Sequence, residues 1–321
     1  MSNSNNAPVR AGVFGVGSLG QHHARIYAER PECELVGVYD SDADRAAEIA
    51  GRHACRAFDS VEALAKEIEA ASVVVPTHLH LAVFRQLVPF NLHLLMEKPI
   101  AMTPDEAQEM VESSQQRGRL LQVGHVERFN PVMQFLEEHL SHPRFIEAIR
   151  LAPYPPPRPD AAPRGTEVSV VLDLMIHDLD IILHLVRSEL TDVRAVGVPV
   201  LSGSEDIANV RLEFASGCVA NITASRISQE RMRKIRVFQE DTYVSLDYMN
   251  QAGQLCRKTA AGISAEPVPI TKGEPLAEEI SSFCECVKTA RTPVVTGEHG
   301  MRALELAIRI CRQMAAAEES W

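Results

Sequence analysis

A chain of 321 residues exceeds what one ordinary hydrophobic core organises and predicts two domains, and with 45% hydrophobic residues both can bury an interior. The net charge of −11 excludes a nucleic-acid surface, which needs clustered Lys and Arg, but not an anionic small-molecule ligand. Seven scattered cysteines without C-x-x-C, an N-terminus without a signal pattern and no apolar run of about eighteen residues predict a cytoplasmic protein that does not span a membrane.

Val9 to Val16 reads as a buried strand running into Gly15-Val16-Gly17-Ser18-Leu19-Gly20 and then a helix. In that context G-x-G-x-x-G is a dinucleotide turn. Gly15 permits the tight bend, Gly17 lets backbone approach a pyrophosphate, Gly20 allows close helix packing, and the amides of the helix start, with Ser18 and Leu19 in the turn, face the phosphates. The next strand, Glu34 to Tyr39, ends on Asp40, whose carboxylate suits ribose hydroxyls and repels a 2′-phosphate, so NAD is expected over NADP. Arg45, one turn into the following helix, is the feature that softens this preference. The alternative is a glycine turn with an acidic helix cap.

Helices over Asp42 to Gly51 and Ser60 to Glu69 and a strand over Ala71 to Val75 continue the alternation. That strand ends at Pro76-Thr77-His78-Leu79-His80, on the carboxyl edge where such sheets bind ligands, which makes Thr77 and His80 cofactor-proximal candidates. No Cys or carboxylate joins the histidines at ligand spacing, so no metal site is expected. After a helix from Leu81, the strand Leu92 to Met96 ends in Glu97-Lys98-Pro99 at the same edge. The Lys98 ammonium can hold a substrate hydroxyl and stabilise a developing alkoxide.

A helix from Thr103 to about Gly118 and a strand to Gly124 close the first domain, predicted as 1–124, with 125–321 as the second. His125, Arg128 and Asn130, on the crossover, are candidate substrate contacts, and Arg128 is equally a structural ion-pair residue. The proline-rich segment from Pro153 carries Arg158 and Arg164, which suit the anionic tail of a substrate such as a diphosphate or are simply solvated. Val170 to Leu183 then reads as a helix with an apolar stripe, and places Asp173 and His177 four apart on another face. A carboxylate beside an imidazole fixes its tautomer and raises its basicity, so the pair is a candidate general base. The bland reading makes Asp173 the helix cap. Alternating segments between Val193 and Leu246 read as antiparallel strands, Pro267 to Gly273 as a loop, and Leu276 to Thr289 and Met301 to Ala316 as helices.

The order Gly15 to Gly20, Asp40, Pro76-Thr77 with His80, Glu97-Lys98-Pro99, Asp173 with His177, and Val295-Thr296-Gly297-Glu298 resembles the Gfo/Idh/MocA family of nicotinamide-dependent oxidoreductases over essentially the whole chain. One departure is Ser169-Val170-Val171-Leu172, where the family commonly has glycines. The resemblance implies an α/β protein: an N-terminal Rossmann doubly wound parallel sheet, then a C-terminal α+β domain with a large, mostly antiparallel open sheet. It implies NAD as cofactor, with Glu97 and Lys98 beside it, Lys98 and His177 as the catalytic pair, Asp173 as partner of His177, and a homo-oligomer, dimer or tetramer, covering the open sheet. Within the family, Gln122 to Pro131 and Asp173 to Asp180 look most like the group that oxidises the sugar 3-hydroxyl of UDP-N-acetylglucosamine for a lipid A precursor. The alternatives are a dehydrogenase of a free polyol or sugar such as inositol, and a dinucleotide-sensing protein without turnover.

Overall fold

The structure, a computed structural model, describes residues 7–157, 163 and 165–318; Arg158 and Arg164 lie outside the described residues. The chain divides into two compact units, one up to Val126 together with Glu274–Arg302, the other Glu127–Gly273 with Ala303 onward.

The first unit alternates strand and helix as the sequence predicts: β1 (Val9–Phe14), α1 (Gly20–Glu29), β2 (Cys33–Tyr39), α2 (Ala43–Arg52), β3 (Arg56–Ala57), α3 (Val61–Ala65), β4 (Ala70–Val73), α4 (His80–Leu87), β5 (His93–Glu97), α5 (Pro104–Gln116) and β6 (Leu121–Gly124). All six strands are parallel, in the order β3-β2-β1-β4-β5-β6. The order reverses at β1/β4, so the carboxyl ends of these strands form the crevice in which doubly wound sheets take ligands. The two-residue edge strand β3, both residues exposed, is absent from the sequence reading because it has no apolar pattern to show.

The second unit begins with α6 (Pro131–His139) and β7 (Phe145–Leu151). A π-helical turn, Val171–Met175, then leads into α7 (Ile176–Val186). Seven strands follow: β8 (Leu190–Val198), β9 (Ile207–Phe214), β10 (Val219–Ser225), β11 (Met232–Phe238), β12 (Thr242–Asp247), β13 (Ala252–Thr259) and β14 (Gly262–Pro267). They join β7 in an eight-stranded sheet, antiparallel except where β7 pairs with β10. Residues of α6, α7 and the C-terminal helix, Gly297–Glu318, bury one sheet face around Ile146, Ile222 and Val237. Strands β13 and β14 were unexpected. β14 is the edge strand and β13 lies next to it, and both are largely exposed, so the inward-outward alternation that marks a half-buried strand is missing.

Two helices close the chain, α8 (Pro275–Thr289) and α9 (Gly297–Glu318). The single expected boundary at residue 124 gives way to a discontinuous first unit. Ala277, Ile280, Phe283 and Cys284 of α8 pack into the core of β1, α1 and β2, and Val295 accepts a hydrogen bond from the Val123 amide. Among the described residues no helix is long and apolar enough to cross a membrane, and no cluster of His, Cys, Asp or Glu is arranged for a metal ion.

Candidate active site

The carboxyl edge of the first sheet gathers Gly15, Asp40, Thr77 and Lys98, because all the strands run one way. The three glycines of the turn do different work. Gly15 has φ +86°, and a Cβ there would come within 2.7 Å of the Val74 carbonyl oxygen. A Cβ on Gly20 would overlap the Gly15 carbonyl, so this contact sets how closely α1 approaches β1. At Gly17 a Cβ would meet nothing within 4 Å, so its side faces open space where a phosphate can reach the backbone. The helix start agrees: α2, α3 and α5 are capped by Asp42, Ser60 and Thr103, whereas α1 has no side-chain cap and no acid in its first turn. Uncapped amides behind an open glycine turn fit an anionic diphosphate. Exposed Ser18 and Leu19 form the turn between.

Asp40 is held for its task from behind, with Oδ2 accepting the Val16 amide at 2.7 Å and Oδ1 the Asp42 amide at 3.0 Å. Arg45 donates through Nε to the Val16 carbonyl at 3.0 Å and pairs with Glu48, so it braces the glycine turn. The residues present therefore fit NAD at this edge.

Glu97 and Lys98 stand at the end of β5, where the Lys98-Pro99 peptide is cis. The Glu97 carboxylate accepts the Lys98 amide at 3.2 Å and meets His23 Nε2 at 3.1 Å. The chain of bonds continues inward. His23 Nδ1 lies 3.0 Å from Ser72 Oγ, which is 3.0 Å from the Tyr27 hydroxyl. Gly124 leaves room for this carboxylate, since a Cβ there would sit 3.0 Å from Glu97 Oε1. Burial pushes the Glu97 carboxyl up, but His23, the Lys98 charge and its amide outweigh that and hold it below the usual range. Glu279 on α8 goes the other way: wholly buried, it is pushed well above the carboxylate range by desolvation, with the Glu97 charge adding. Of these two buried carboxyls, Glu97 carries the charge. His23 escaped the sequence reading, although a histidine three residues past Gly20 on the buried face of α1 was the available signal.

His80, a cofactor-proximal candidate, is held by backbone. It is 1% exposed, its ring nitrogens lie 3.1 Å from the Ile100 carbonyl and 3.0 Å from that of Val75, and burial lowers its pKa. Set between two backbone carbonyls, the ring ties the end of β4 to the segment after Lys98. Thr77 is half-buried at the start of a short 3₁₀ turn on the crevice edge, and His125 is buried directly after β6.

In the second unit the helix that carries Asp173 and His177 starts just after Ser169. Ser169 Oγ accepts the Val171 amide at 3.3 Å, and the Ser169 carbonyl accepts the Leu172 and Asp173 amides. Asp173 is thus not the cap. The first turn is also π-helical, with the Ile176 amide donating to the Val171 carbonyl five residues back, so the expected uninterrupted α-helix is corrected here. Such turns recur at functional sites because the extra residue re-aims side chains. Asp173 and His177 are both half-buried, whereas Met175, Ile176, Leu179 and Ile182 fill the core as the stripe predicted.

Directly after His177 lies a charge network with no counterpart in the sequence reading. Arg150 on β7 donates to both Asp178 oxygens, at 2.7 and 3.1 Å, and to Glu127 at 3.0 Å, while half-exposed Arg233 reaches Glu127 at 3.2 Å. Burial opposes both charges of the Arg150–Asp178 pair. For Arg150 the facing carboxylates win and raise its pKa, and for Asp178 desolvation wins and raises it. Arg128 and Asn130, candidate substrate contacts, have partners within this unit, and for Arg128 an ion pair was the equal alternative. Arg128 is buried against Asp180, at 3.4 Å to either oxygen. Asn130 caps α6 through the Val132 amide and donates to the Tyr248 carbonyl. Arg128 Nε is buried without a hydrogen-bond partner among the described residues, so only part of its guanidinium is engaged here.

A six-stranded parallel sheet in this order, an open glycine turn and an acid closing β2 define a dinucleotide-binding protein of the oxidoreductase class. Residues 9–125 match the pattern described as "Oxidoreductase family, NAD-binding Rossmann fold", and residues 137–244 the "GFO/IDH/MocA C-terminal domain". The chain belongs to the Gfo/Idh/MocA family of oxidoreductases. It is 38% identical over 94% of its length, and 96% of the relative's, to a UDP-N-acetylglucosamine 3-dehydrogenase of Acidithiobacillus ferrooxidans. A solved structure of an enzyme with that name and source covers 97% of this chain and 98% of its own at a TM-score of 0.91. A scyllo-inositol 2-dehydrogenase (NAD(+)) of Bacillus subtilis is 27% identical over 94% of this chain and 92% of its own.

Proposed function

We propose that this protein oxidises the 3-hydroxyl of UDP-N-acetylglucosamine to a ketone. The observation that carries this is 38% identity over nearly the whole chain to an enzyme of that name, in a chain that carries Lys98, Asp173 and His177. The resemblance to an inositol dehydrogenase, at lower identity, favours a second reading as a dehydrogenase of a free polyol.

On the proposed reading His177 takes the hydroxyl proton, and Asp173, free of the capping role, fixes its tautomer and stabilises the imidazolium. Lys98 donates to the same oxygen and offsets its developing negative charge. NAD, when bound, supplies the hydride acceptor. Glu97 anchors the Lys98 backbone through the 3.2 Å bond and takes its own position from His23. Because the Tyr27–Ser72–His23–Glu97 chain ends on a fully buried tyrosine, it suits a brace rather than a proton exit. His125, Thr77, Arg158 and Arg164 are proposed to line the substrate and cofactor.

The place and assembly of the protein follow the same reading. All seven cysteines are free, in keeping with a cytoplasmic protein. The outward face of the eight-stranded sheet carries half-buried Phe145, Ile149, Leu151 and Phe238, and pairing with a second copy of the chain would cover it. A 3-keto nucleotide sugar is a substrate for transamination, which agrees with a role in making an amino-sugar precursor of lipid A. The test is NAD reduction followed by absorbance with UDP-N-acetylglucosamine, myo-inositol and scyllo-inositol. Saturable turnover of the nucleotide sugar is expected, and turnover of an inositol alone would select the second reading.

A further inference from the structure

Arg226, just past β10, is among the largest fully buried side chains of the protein and takes no part in the motifs that mark the family. A buried guanidinium is tolerated only when its charge and all its N–H groups are matched. Here all five are. Nε donates to Asp206 Oδ1 at 2.8 Å, Nη1 to the carbonyls of Gly165 at 2.6 Å and Val168 at 2.8 Å, and Nη2 to Ser202 Oγ and Ser204 Oγ, each at 2.9 Å. Asp206 is equally saturated: it also accepts the amides of Val200, Leu201 and Ser202 and the Ser202 hydroxyl. This hub fastens the 165–168 segment, which enters the catalytic helix, to the loop after β8 and the end of β10.

Gly165 is where the hub meets the chemistry. Its φ is +82°, a conformation that favours glycine, and a Cβ built on it would lie 2.5 Å from Asp173 Oδ2 and 2.8 Å from Asp173 Cγ. The Asp173 carboxylate therefore rests against bare backbone, and the carbonyl of that same residue is held by Arg226. Asp173 itself makes no cap, since Ser169 does so. We propose that Arg226 and Gly165 are positioning residues that hold the Asp173 carboxylate in register with His177. This rests on the reading of Asp173 and His177 as a catalytic pair.

The test uses the full chain with ¹³C-labelled histidine. His177 is identified by the signal missing in His177→Gln, and its titration midpoint is followed by NMR. A nearby carboxylate stabilises the imidazolium and raises the midpoint, so Asp173→Asn should lower it. Gly165→Ala is expected to lower it by most of that amount, and to add nothing in the Asp173→Asn background, as two changes acting through one group must. Arg226→Lys keeps a charge for Asp206 but loses the fork to both carbonyls, and is expected to move the midpoint the same way. Turnover should fall on the order of tenfold or more in either variant with NAD affinity unchanged. The charges next along the helix, Asp178, Arg150 and Glu127, are untouched in every variant. Thermal unfolding shows that each protein is folded, and Ser204→Ala, which removes one bond to the hub and one to Val168, is the milder substitute if another is not. A wild-type midpoint in Gly165→Ala and Arg226→Lys, or shifts that add to that of Asp173→Asn, would overturn the proposal. No shift in Asp173→Asn itself would instead remove the catalytic pair, and the positioning role with it.

Discussion

The two units hold the side chains proposed to react by different physics. In the first, backbone makes the site: a positive-φ glycine, an open glycine, an uncapped helix start, and a lysine placed by the end of a parallel strand. In the second, buried charge makes it: the Arg150–Asp178–Glu127 network follows His177, and the Arg226–Asp206 hub stands behind Asp173. Backbone geometry is local and repeats at set spacing, so it leaves a motif. Ion pairs between residues twenty or more apart leave none.

The contrast is sharpest at the reactive groups. Lys98→Ala and His177→Ala are each expected to lower kcat by about a hundredfold or more while NAD binding, read by fluorescence, stays near wild type. Turnover left intact in either variant would take that residue out of the chemistry. Breaking the charge network costs folding instead. Arg150→Met leaves Asp178 and Glu127 buried without their partner and should cost about 3–5 kcal/mol in denaturant unfolding. A loss under about 1 kcal/mol would show that the network is not what holds the turn.

The glycines test the backbone half. Gly20→Ala forces the overlap with the Gly15 carbonyl and is expected to lower Tm, whereas Gly17→Ala should leave Tm alone and weaken NAD binding about tenfold or more. Equal behaviour of the two would erase the distinction drawn between them.

The smallest effect concerns Glu279, whose folded pKa is raised. Its contribution is complete below the unfolded value near 4.5 and is lost as pH rises toward the folded one. Glu279→Gln should therefore gain on the wild type above about pH 5, approaching ~1.4 kcal/mol per pH unit, in unfolding curves taken across pH. A difference that does not grow with pH would mean that the carboxyl is ionised in the fold.

The alternating first unit was legible almost element by element, because its central strands are largely buried and α2, α3 and α5 start on the caps Asp42, Ser60 and Thr103. Lys98, Asp173 and His177 were singled out through motif spacing, and their roles are those proposed above. His80, Arg128 and Asn130 could not be placed from the sequence for a common reason. A polar residue near a ligand edge looks the same in sequence whether it faces the ligand or braces the backbone beneath it, and only burial and partners separate the two. Exposed edge strands β13 and β14, and the return of α8 to the first core, depend on long-range packing that no local pattern encodes.

The account depends on an amine from one unit and an imidazole from the other acting on one sugar oxygen. A crystal structure of the protein with NAD and UDP-N-acetylglucosamine tests this directly. Lys98 Nζ and a ring nitrogen of His177 are predicted within about 3.2 Å of the sugar 3-hydroxyl oxygen, with the adjoining carbon facing the nicotinamide. A bound nucleotide sugar whose 3-hydroxyl lies beyond the reach of either side chain would contradict it.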